Sequence, residues 1–311
     1  MRGRWRVLGV LATLMLVLPA GSCGRAARTP GGPIRIATGS PASVYYAYGQ
    51  AIAHLITQRW PNAQPRVLTT TASAENLQLL VVGKVEVGLS QADVAASGGL
   101  PESLVALARL YDDYVHLVVP AQAPVRTIAD LRGRRVSIGP AGSGTEIAAT
   151  RLLTVGGLSP LVDVSPRHLD LEESVTALRQ DSIEAFFYSG GLPVGAITDL
   201  ARDIPIRLLD LGAYVGQLRR QFGEHYSERV IPRSTYGTPP VATIGLANYL
   251  VVRQDMPEEL AYALTRLLFD GRDALASAHP AGARLNIRSA VDTYPLALHP
   301  GAVRFYRERK I

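Results

Sequence analysis

From residue 34 onward, short apolar runs alternate with segments in which apolar residues recur at helical spacing. Such alternation is typical of α/β proteins, whose helices cover a mainly parallel sheet. Residues 34–37 are predicted to form a strand and residues 43–59 a helix, with Val44, Tyr48 and Ile52 on its apolar face. The pattern therefore predicts an α/β fold.

A second unit of the same kind begins at residue 135. Residues 135–138 are predicted to form a strand, residues 139–144 a glycine-rich turn and residues 145–155 a helix. Two related units predict a two-lobed protein with a hinge, in which each lobe is a mainly parallel sheet flanked by helices. A single doubly wound sheet would give the same repetition and stays an alternative. The segment 120–127, PAQAPVRT, has the composition of a connection between lobes.

The N-terminus has the features of a signal peptide. Several arginines precede an apolar run at residues 7–18, which is shorter than the ~20 apolar residues of a membrane-spanning helix. Small residues before Cys23 resemble a bacterial lipobox, although Ala20 stands where that motif usually has Leu. Because Cys23 is the only cysteine, it cannot form an internal disulfide, and its position predicts lipidation. Cleavage near Ala20 or Ala27 without a lipid is the alternative.

These patterns divide the chain into five predicted segments. They are a signal peptide at residues 1–22, a lipid-anchor spacer at 23–33, the first part of the first lobe at 34–120, the second lobe at 121–240, and a return to the first lobe with C-terminal helices at 241–311. The expected location is extracytoplasmic, with membrane contact through the lipid anchor.

Patterns typical of enzymes and of nucleic-acid binding are missing from the sequence. The six histidines show no HExxH spacing, and one cysteine cannot supply a structural zinc set. The formal charge of +6 comes from scattered arginines, with only 6% aromatic residues, which argues against a nucleic-acid partner. Strands are predicted at 104–110 and 115–119, and the doublets 112–113 and 172–173 are interpreted as solvated turn or helix-start charges. We expect no catalysis, metal or cofactor.

The turn at residues 139–146, GPAGSGTE, resembles a phosphate-binding loop but has Thr145 and Glu146 where that loop needs Lys and Ser or Thr. A nucleotide is therefore disfavoured. The free amides that begin the following helix still favour an anion, and the hydroxyls of Ser143 and Thr145 could add to them. A plain strand-to-helix turn with a capping hydroxyl is the alternative reading.

Similar turns follow other predicted strands. Ligands of open α/β sheets bind outside the carboxyl ends of the strands, so these turns are expected to share one cleft. The candidate ligand-binding residues are Thr38, Gly39, Ser43, Tyr45, Tyr46, Ser73, Asn76, Gln91, Ser143, Gly144, Thr145, Tyr188, Ser189 and Gly190.

Five segments, taken in order, resemble the TAXI branch of solute-binding proteins from tripartite ATP-independent periplasmic (TRAP) transporters. They are residues 36–46 (IATGS followed by VYY), 73–77 (SAENL), 139–146 (GPAGSGTE), 190–193 (GGLP) and 298–302 (LHPGA). The resemblance implies a type II periplasmic-binding-protein fold, integral-membrane partner subunits, and uptake of a small organic acid or amino acid such as glutamate. The chain departs from that family at Ala42 and Ser43, near which a glycine pair is usual, and at Ala72, where glycine is usual.

The sequence thus predicts a non-enzymatic subunit that captures a small anionic metabolite for integral-membrane transporter subunits. A ligand-binding sensor or scavenging lipoprotein is one alternative. An enzyme on the same two-lobed scaffold is another, because a fold does not dictate a function.

Overall fold

The computed structural model describes residues 32–97 and 103–310. The predicted signal peptide, most of the spacer and Cys23 lie outside these residues. The strands are β1 (Arg35–Ala37), β2 (Arg66–Leu68), β3 (Val87–Gln91), β4 (Leu104–Pro120), β5 (Arg135–Ser137), β6 (Ser165–Arg167), β7 (Ala185–Gly190), β8 (Ile206–Leu208), β9 (Tyr226–Ile231) and β10 (Val241–Arg253). The α-helices are α1 (Val44–Arg59), α2 (Ser73–Val81), α3 (Ala92–Ala95), α4 (Gly144–Val155), α5 (Leu171–Arg179), α6 (Gly195–Asp203), α7 (Val215–Phe222), α8 (Arg233–Tyr236), α9 (Glu258–Asp270), α10 (Arg272–Ala278) and α11 (Pro300–Glu308). Short 3-10 helices cover Ile128–Leu131, Gly212–Tyr214 and Pro280–Arg284.

Two long strands, β4 and β10, connect the two halves of one mixed sheet. The strand order is β2-β1-β3-β10-β4-β7-β5-β6, with β8 beside β4 and β9 beside β10. Strand β1 is parallel to β2 and β3, and β5 is parallel to β6 and β7, whereas β10 runs antiparallel to β3 and β4. We call the β1–β3 side, with α1–α3, the first lobe, and the β5–β8 side, with α4–α7, the second lobe. This arrangement confirms the predicted two-lobed α/β fold.

Strand β4 corrects the prediction of two separate strands with a solvated turn between them. The strand continues from Leu104 to Pro120, pairing first with β10 and then with β7 and β8. Asp112 and Asp113 therefore lie inside a strand. Asp112 forms ion pairs instead of facing open solvent, and the side chain of Asp113 is buried. The carboxyl groups have partners in the folded sheet that a local sequence pattern does not show.

Each lobe has its own apolar core. In the first lobe, Tyr48, Ile52 and Ile56 of α1 are almost fully buried, in the same cluster as Phe305 of α11. In the second lobe, a core that includes Phe187 lies between the sheet and α4. Full burial of one such side chain stabilises the fold by about 1.5–3 kcal/mol, so these cores help to hold the strand ends of each lobe in place.

Candidate functional site between the lobes

A cavity of about 430 Å³ lies where the strand ends and helix starts of the two lobes meet. Its volume is typical of small-molecule sites. The first lobe contributes Gly39, Ser40, Ala42, Ser43, Val44, Tyr45, Thr70, Thr71, Ala72, Ser73 and Gln91. Strand β4 contributes Tyr111 and Asp113, and the second lobe contributes Gly139, Pro140, Gly144, Thr145 and residues 168–174 and 187–190.

Most of the sequence-predicted site residues line this cavity. They are Gly39, Ser43, Tyr45, Ser73, Gln91, Gly144, Thr145, Tyr188, Ser189 and Gly190. These residues lie at or just after the ends of five different strands, so the structure brings together segments that are far apart in the chain.

Thr38 and Asn76 lie beneath the cavity wall. The Thr38 hydroxyl donates to the carbonyl of Leu68 at 2.7 Å, and the Asn76 amide donates to the carbonyls of Thr38 and Leu89 at 2.6 and 2.8 Å. Both side chains are fully buried. They hold the turns after β1, β2 and β3 at fixed spacing.

Ser143 and Tyr46 also do not line the cavity. Ser143 is the N-cap of α4, and its hydroxyl oxygen accepts a hydrogen bond from the backbone N–H of Glu146 at 3.2 Å. The hydroxyl of Tyr46 accepts a hydrogen bond from the amide of Gln50 at 2.8 Å. Capping by Ser143 satisfies one of the free amides that begin α4.

One hydrogen-bond network crosses the cleft. The Gln91 amide of the first lobe donates to Asp113 Oδ2 at 2.8 Å and to the Ser189 hydroxyl of the second lobe at 2.6 Å. The Ser189 backbone N–H in turn donates to Thr145 Oγ1 at 3.1 Å. A side chain at Gly144 would collide with the Gln91 side-chain oxygen, so this approach of the lobes requires glycine there.

A second hydrogen-bond network contacts the backbone of Gln91 and so helps to position the first network. The Tyr45 hydroxyl donates to Asn248 Oδ1 at 2.5 Å and lies 3.2 Å from the Ser73 hydroxyl. Ser73 also accepts the backbone N–H of Gln91 at 3.2 Å. Asn248 was not predicted, although an amide inside the apolar run 241–252 is a signal that could have indicated it.

Comparison with known proteins gives the family. A model of the NMT1-like family matches residues 36–309, nearly all of the described chain. The chain belongs to the NMT1-like family.

Relatives of this NMT1-like protein support the fold. A protein of Escherichia coli strain K12 named for aliphatic sulfonate binding is 25% identical over 152 residues, which are 46% of this chain and 47% of the relative. The match therefore spans about half of that relative's length. The crystal structure of the periplasmic aliphatic sulphonate binding protein SsuA from Escherichia coli aligns with a TM-score of 0.52 at 17% identity, covering 89% of this chain and 83% of SsuA. A mutant of ArgBP from T. maritima aligns with a TM-score of 0.50 at 11% identity, covering 82% and 95% of the two chains. These likenesses show the two-lobed periplasmic-binding-protein fold.

Asp113 is a charged site residue of this NMT1-like protein that the sequence interpretation missed. Its side chain is 6% exposed, and desolvation raises its pKa from the ordinary 3.8 to about 7. Desolvation is the largest cause of this shift; the negative charges of Asp112 and Asp93 act in the same direction, and the hydrogen bond from Ser189 acts against it. The signal that the sequence carries is an acidic doublet between two apolar runs.

The amino end of α5 forms one wall of the cavity. Asp170 is its N-cap, in a reciprocal capping box with Glu173. Glu172 and Glu173 are exposed first-turn residues, which confirms the reading of this doublet as helix-start charges, and they also line the cavity. His168 lies beside them, with Nδ1 3.2 Å from a Glu146 carboxylate oxygen. Among the described residues, the cavity lining contains no Arg or Lys.

Two further properties concern residues 32–97 and 103–310 only. No group of three or more His, Cys, Asp and Glu side chains there could hold a metal ion. No helix in the same ranges is both long and apolar enough to cross a membrane.

Proposed function

We propose that this NMT1-like protein is the extracytoplasmic solute-binding component of a membrane transporter and captures a small polar metabolite between its lobes. The observation that carries the proposal is the cavity itself, which is lined by hydroxyls, amides and helix starts from both lobes. A solute there contacts both lobes at once, so binding favours the closed arrangement by the difference in affinity between the two states. The relatives named for sulfonate binding support a role in solute capture.

The transporter that we propose is of the TAXI-type tripartite ATP-independent class, which implies a small organic acid or amino acid such as glutamate as the solute. Support comes from the five segments that resemble the TAXI branch. Those at residues 36–46, 73–77, 139–146 and 190–193 all contribute to the cavity wall. An aliphatic sulfonate is the second candidate, because two relatives are named for it.

The anionic end of the solute is proposed to dock on the turn at residues 143–145. Peptide N–H groups at the start of α4 and the helix dipole favour a negative group there by about 0.3–2 kcal/mol. Because Thr145 Oγ1 already accepts the Ser189 N–H, its own hydroxyl proton is free to donate to the solute.

The proposed lobe boundaries are residues 34–120, 121–240 and 241–311. Strand β4 ends at Pro120 and β10 begins at Val241, which supports these positions.

Lipidation of Cys23 is also proposed, from the sequence alone. Two acyl chains hold a protein firmly on a membrane, so Cys23→Ala should release it into the soluble fraction. Retention of that variant on membranes would end the lipid-anchor proposal.

The test of solute capture begins with protein purified without denaturation. Mass spectrometry of the small molecules released from it should find a co-purifying solute. Adding that solute back should raise the melting temperature, since at a hundred times Kd binding stabilises the folded state by about 2.7 kcal/mol.

Three results would contradict parts of this proposal. A chemically altered solute after incubation would indicate an enzyme. Unimpaired uptake in cells that lack the protein would indicate a sensor or scavenger. If no solute co-purifies and none stabilises the protein, the proposed capture itself is wrong.

A further inference from the structure

We propose that Asp113 and Gln91 form a subsite for a protonated amine, so that the captured solute carries an ammonium group as well as an anionic end. This inference rests on the proposed function and narrows its solute class. It makes Asp113 and Gln91 specificity-determining residues of the cleft.

Two buried acceptors without partners belong to residues that line the cavity. Asp113 Oδ1 and Gln91 Oε1 accept no hydrogen bond from the described part of the chain, although Asp113 is 6% and Gln91 1% exposed. Both residues line the cavity. The Gln91 amide orientation is fixed by its N–H bonds to Asp113 and Ser189, so its oxygen must be the unpaired atom. Buried polar atoms normally have partners, and two unpaired acceptors on hydrogen-bonded residues call for a donor from the solute.

The charge balance selects a cationic donor. Asp112, the neighbour in sequence, is neutralised by Arg109 and Arg229 at 2.6 and 2.7 Å. Asp113 has no ion pair with any Arg, Lys or His of residues 32–97 and 103–310. A buried carboxylate left uncompensated destabilises the closed cleft, and a second carboxylate of a solute beside it would be repelled.

An ammonium group supplies what the subsite lacks. It carries three N–H donors and one positive charge, so it supplies both the counter-charge that Asp113 lacks and a donor for the Gln91 oxygen. Burial is the largest cause of the raised pKa of Asp113, and an ammonium neighbour would favour its ionised form. The same cleft offers helix-start amides around Gly144 for a carboxylate or sulfonate end. A zwitterionic solute therefore satisfies both parts of the cavity.

The experiment compares solutes that differ only in the amine. L-glutamate and glutarate form one pair of probes, and taurine and ethanesulfonate form another. Calorimetry on the wild-type protein should show the amine member of a binding pair at least about tenfold tighter, the size expected of a charged hydrogen bond. This comparison does not depend on any variant folding.

Variants then locate the effect. Asp113→Asn should weaken binding of the amine member about tenfold or more and remove the discrimination within the pair. Asp112→Asn is the matched control, because that carboxylate pairs with arginines outside the cavity lining; its affinity should stay within about threefold of wild type. Circular dichroism and thermal unfolding of each variant without solute establish that it is folded.

Equal or tighter binding of glutarate or ethanesulfonate, or a co-purifying solute that contains no basic nitrogen, would overturn the amine subsite while leaving solute capture intact. Undiminished discrimination in Asp113→Asn would overturn it as well. If nothing co-purifies and neither probe pair binds, the proposed function fails and the subsite with it.

Discussion

At the scale of single residues, the cleft depends on carboxyl groups whose burial changes their chemistry. Asp113 and Asp93 are both fully buried, and desolvation raises the pKa of each from 3.8 to about 7. A carboxyl whose pKa is higher in the folded than in the unfolded state binds more protons when folded. Its contribution to stability is therefore greatest at low pH and decreases as the pH rises through the window from about 4 to about 7.

This sign gives a prediction for the protein without solute. The melting temperature of wild type relative to Asp113→Asn, which cannot ionise, should fall between pH 5 and pH 8. The comparison with the variant is needed because burial lowers the pKa of His116 and His225 to about 4, so those two residues stabilise both proteins as the pH rises from about 4 to about 6.5. The hydroxyls of Tyr45, Tyr111 and Tyr188 face the same carboxyl, but their pKa values are raised above 10 by burial, so they stay neutral in this range. Differential scanning calorimetry across the pH series measures both curves. Parallel curves for wild type and variant would show that Asp113 does not titrate in this window.

Ala72 carries a second prediction at this scale, because its backbone has φ 106° and ψ −140°. Only glycine adopts this region without strain, and the strain costs about 1–3 kcal/mol. Glycine is usual at this position in the TAXI branch that the sequence resembles. Ala72→Gly should therefore stabilise the protein by about 1 kcal/mol in chemical denaturation.

Ala74 provides the matched control, since it lies in the first turn of α2 with helical backbone angles. Ala74→Gly should destabilise the protein by about 0.5–1 kcal/mol. If both substitutions destabilise, Ala72 is not strained in solution.

At the scale of elements, the strand-turn-helix units follow from local sequence, whereas the pairing of strands does not. The predicted helix 145–155 is observed as Gly144–Val155, because the apolar period and the Ser143 cap are both local signals. Strands β6 and β9 were not predicted, since their sequences SPR and YSERVI are polar and half exposed and form strands only beside β5 and β10.

The same distinction between local signals and strand pairing applies to the residues of the candidate site. Its turns could be predicted, because glycine and hydroxyl residues after a strand are visible in the sequence. The placement of Asp113 and Asn248 in one site could not, because they come together only through the antiparallel register of β4 and β10, in which Asn248 lies opposite Tyr111. Asp113 and Asn248 are far apart in the chain, so no local sequence pattern links them. The acidic doublet at residues 112–113 resembles a turn until its partners in the sheet are known.

At the start of helix α4, the capping role of Ser143 and the proposed binding role of Thr145 can be tested separately. Ser143→Ala should lower the free energy of unfolding by about 1 kcal/mol through loss of the N-cap and leave solute affinity unchanged. Thr145→Val should weaken binding of the co-purified solute about tenfold or more if its hydroxyl meets a charged group. Calorimetry and denaturant titration of both variants compare the two effects directly. Unchanged affinity in Thr145→Val would place the anion site elsewhere in the cleft.

At the scale of the whole molecule, the two lobes are held together by few side chains, so closure can be tuned by single substitutions. Besides the Gln91 network, Arg151 of α4 reaches across to the first lobe. Its guanidinium donates to the Ser97 hydroxyl at 2.9 Å and the Asp93 carbonyl at 3.3 Å, and lies 4.0 Å from the Asp93 carboxylate. It also donates to the Tyr226 hydroxyl of β9 at 2.7 Å. Tyr226 belongs to the same apolar core as α4, so only the contacts to Ser97 and Asp93 join the two lobes.

Arg151→Ala should therefore shift the molecule toward an open arrangement. The variant leaves the Asp93 carboxylate buried without a counter-charge when the cleft is closed, whereas opening exposes that carboxylate to water. Binding of the solute must then offset the free-energy difference between the open and closed arrangements, so we expect affinity to fall about tenfold. We also expect the radius of gyration of the unliganded variant, measured by small-angle X-ray scattering, to be larger than that of wild type. Arg179→Ala is the control, since Arg179 pairs with Asp203 inside the second lobe. If Arg151→Ala matches that control in both measurements, the Arg151 contacts persist in the open form and do not govern closure.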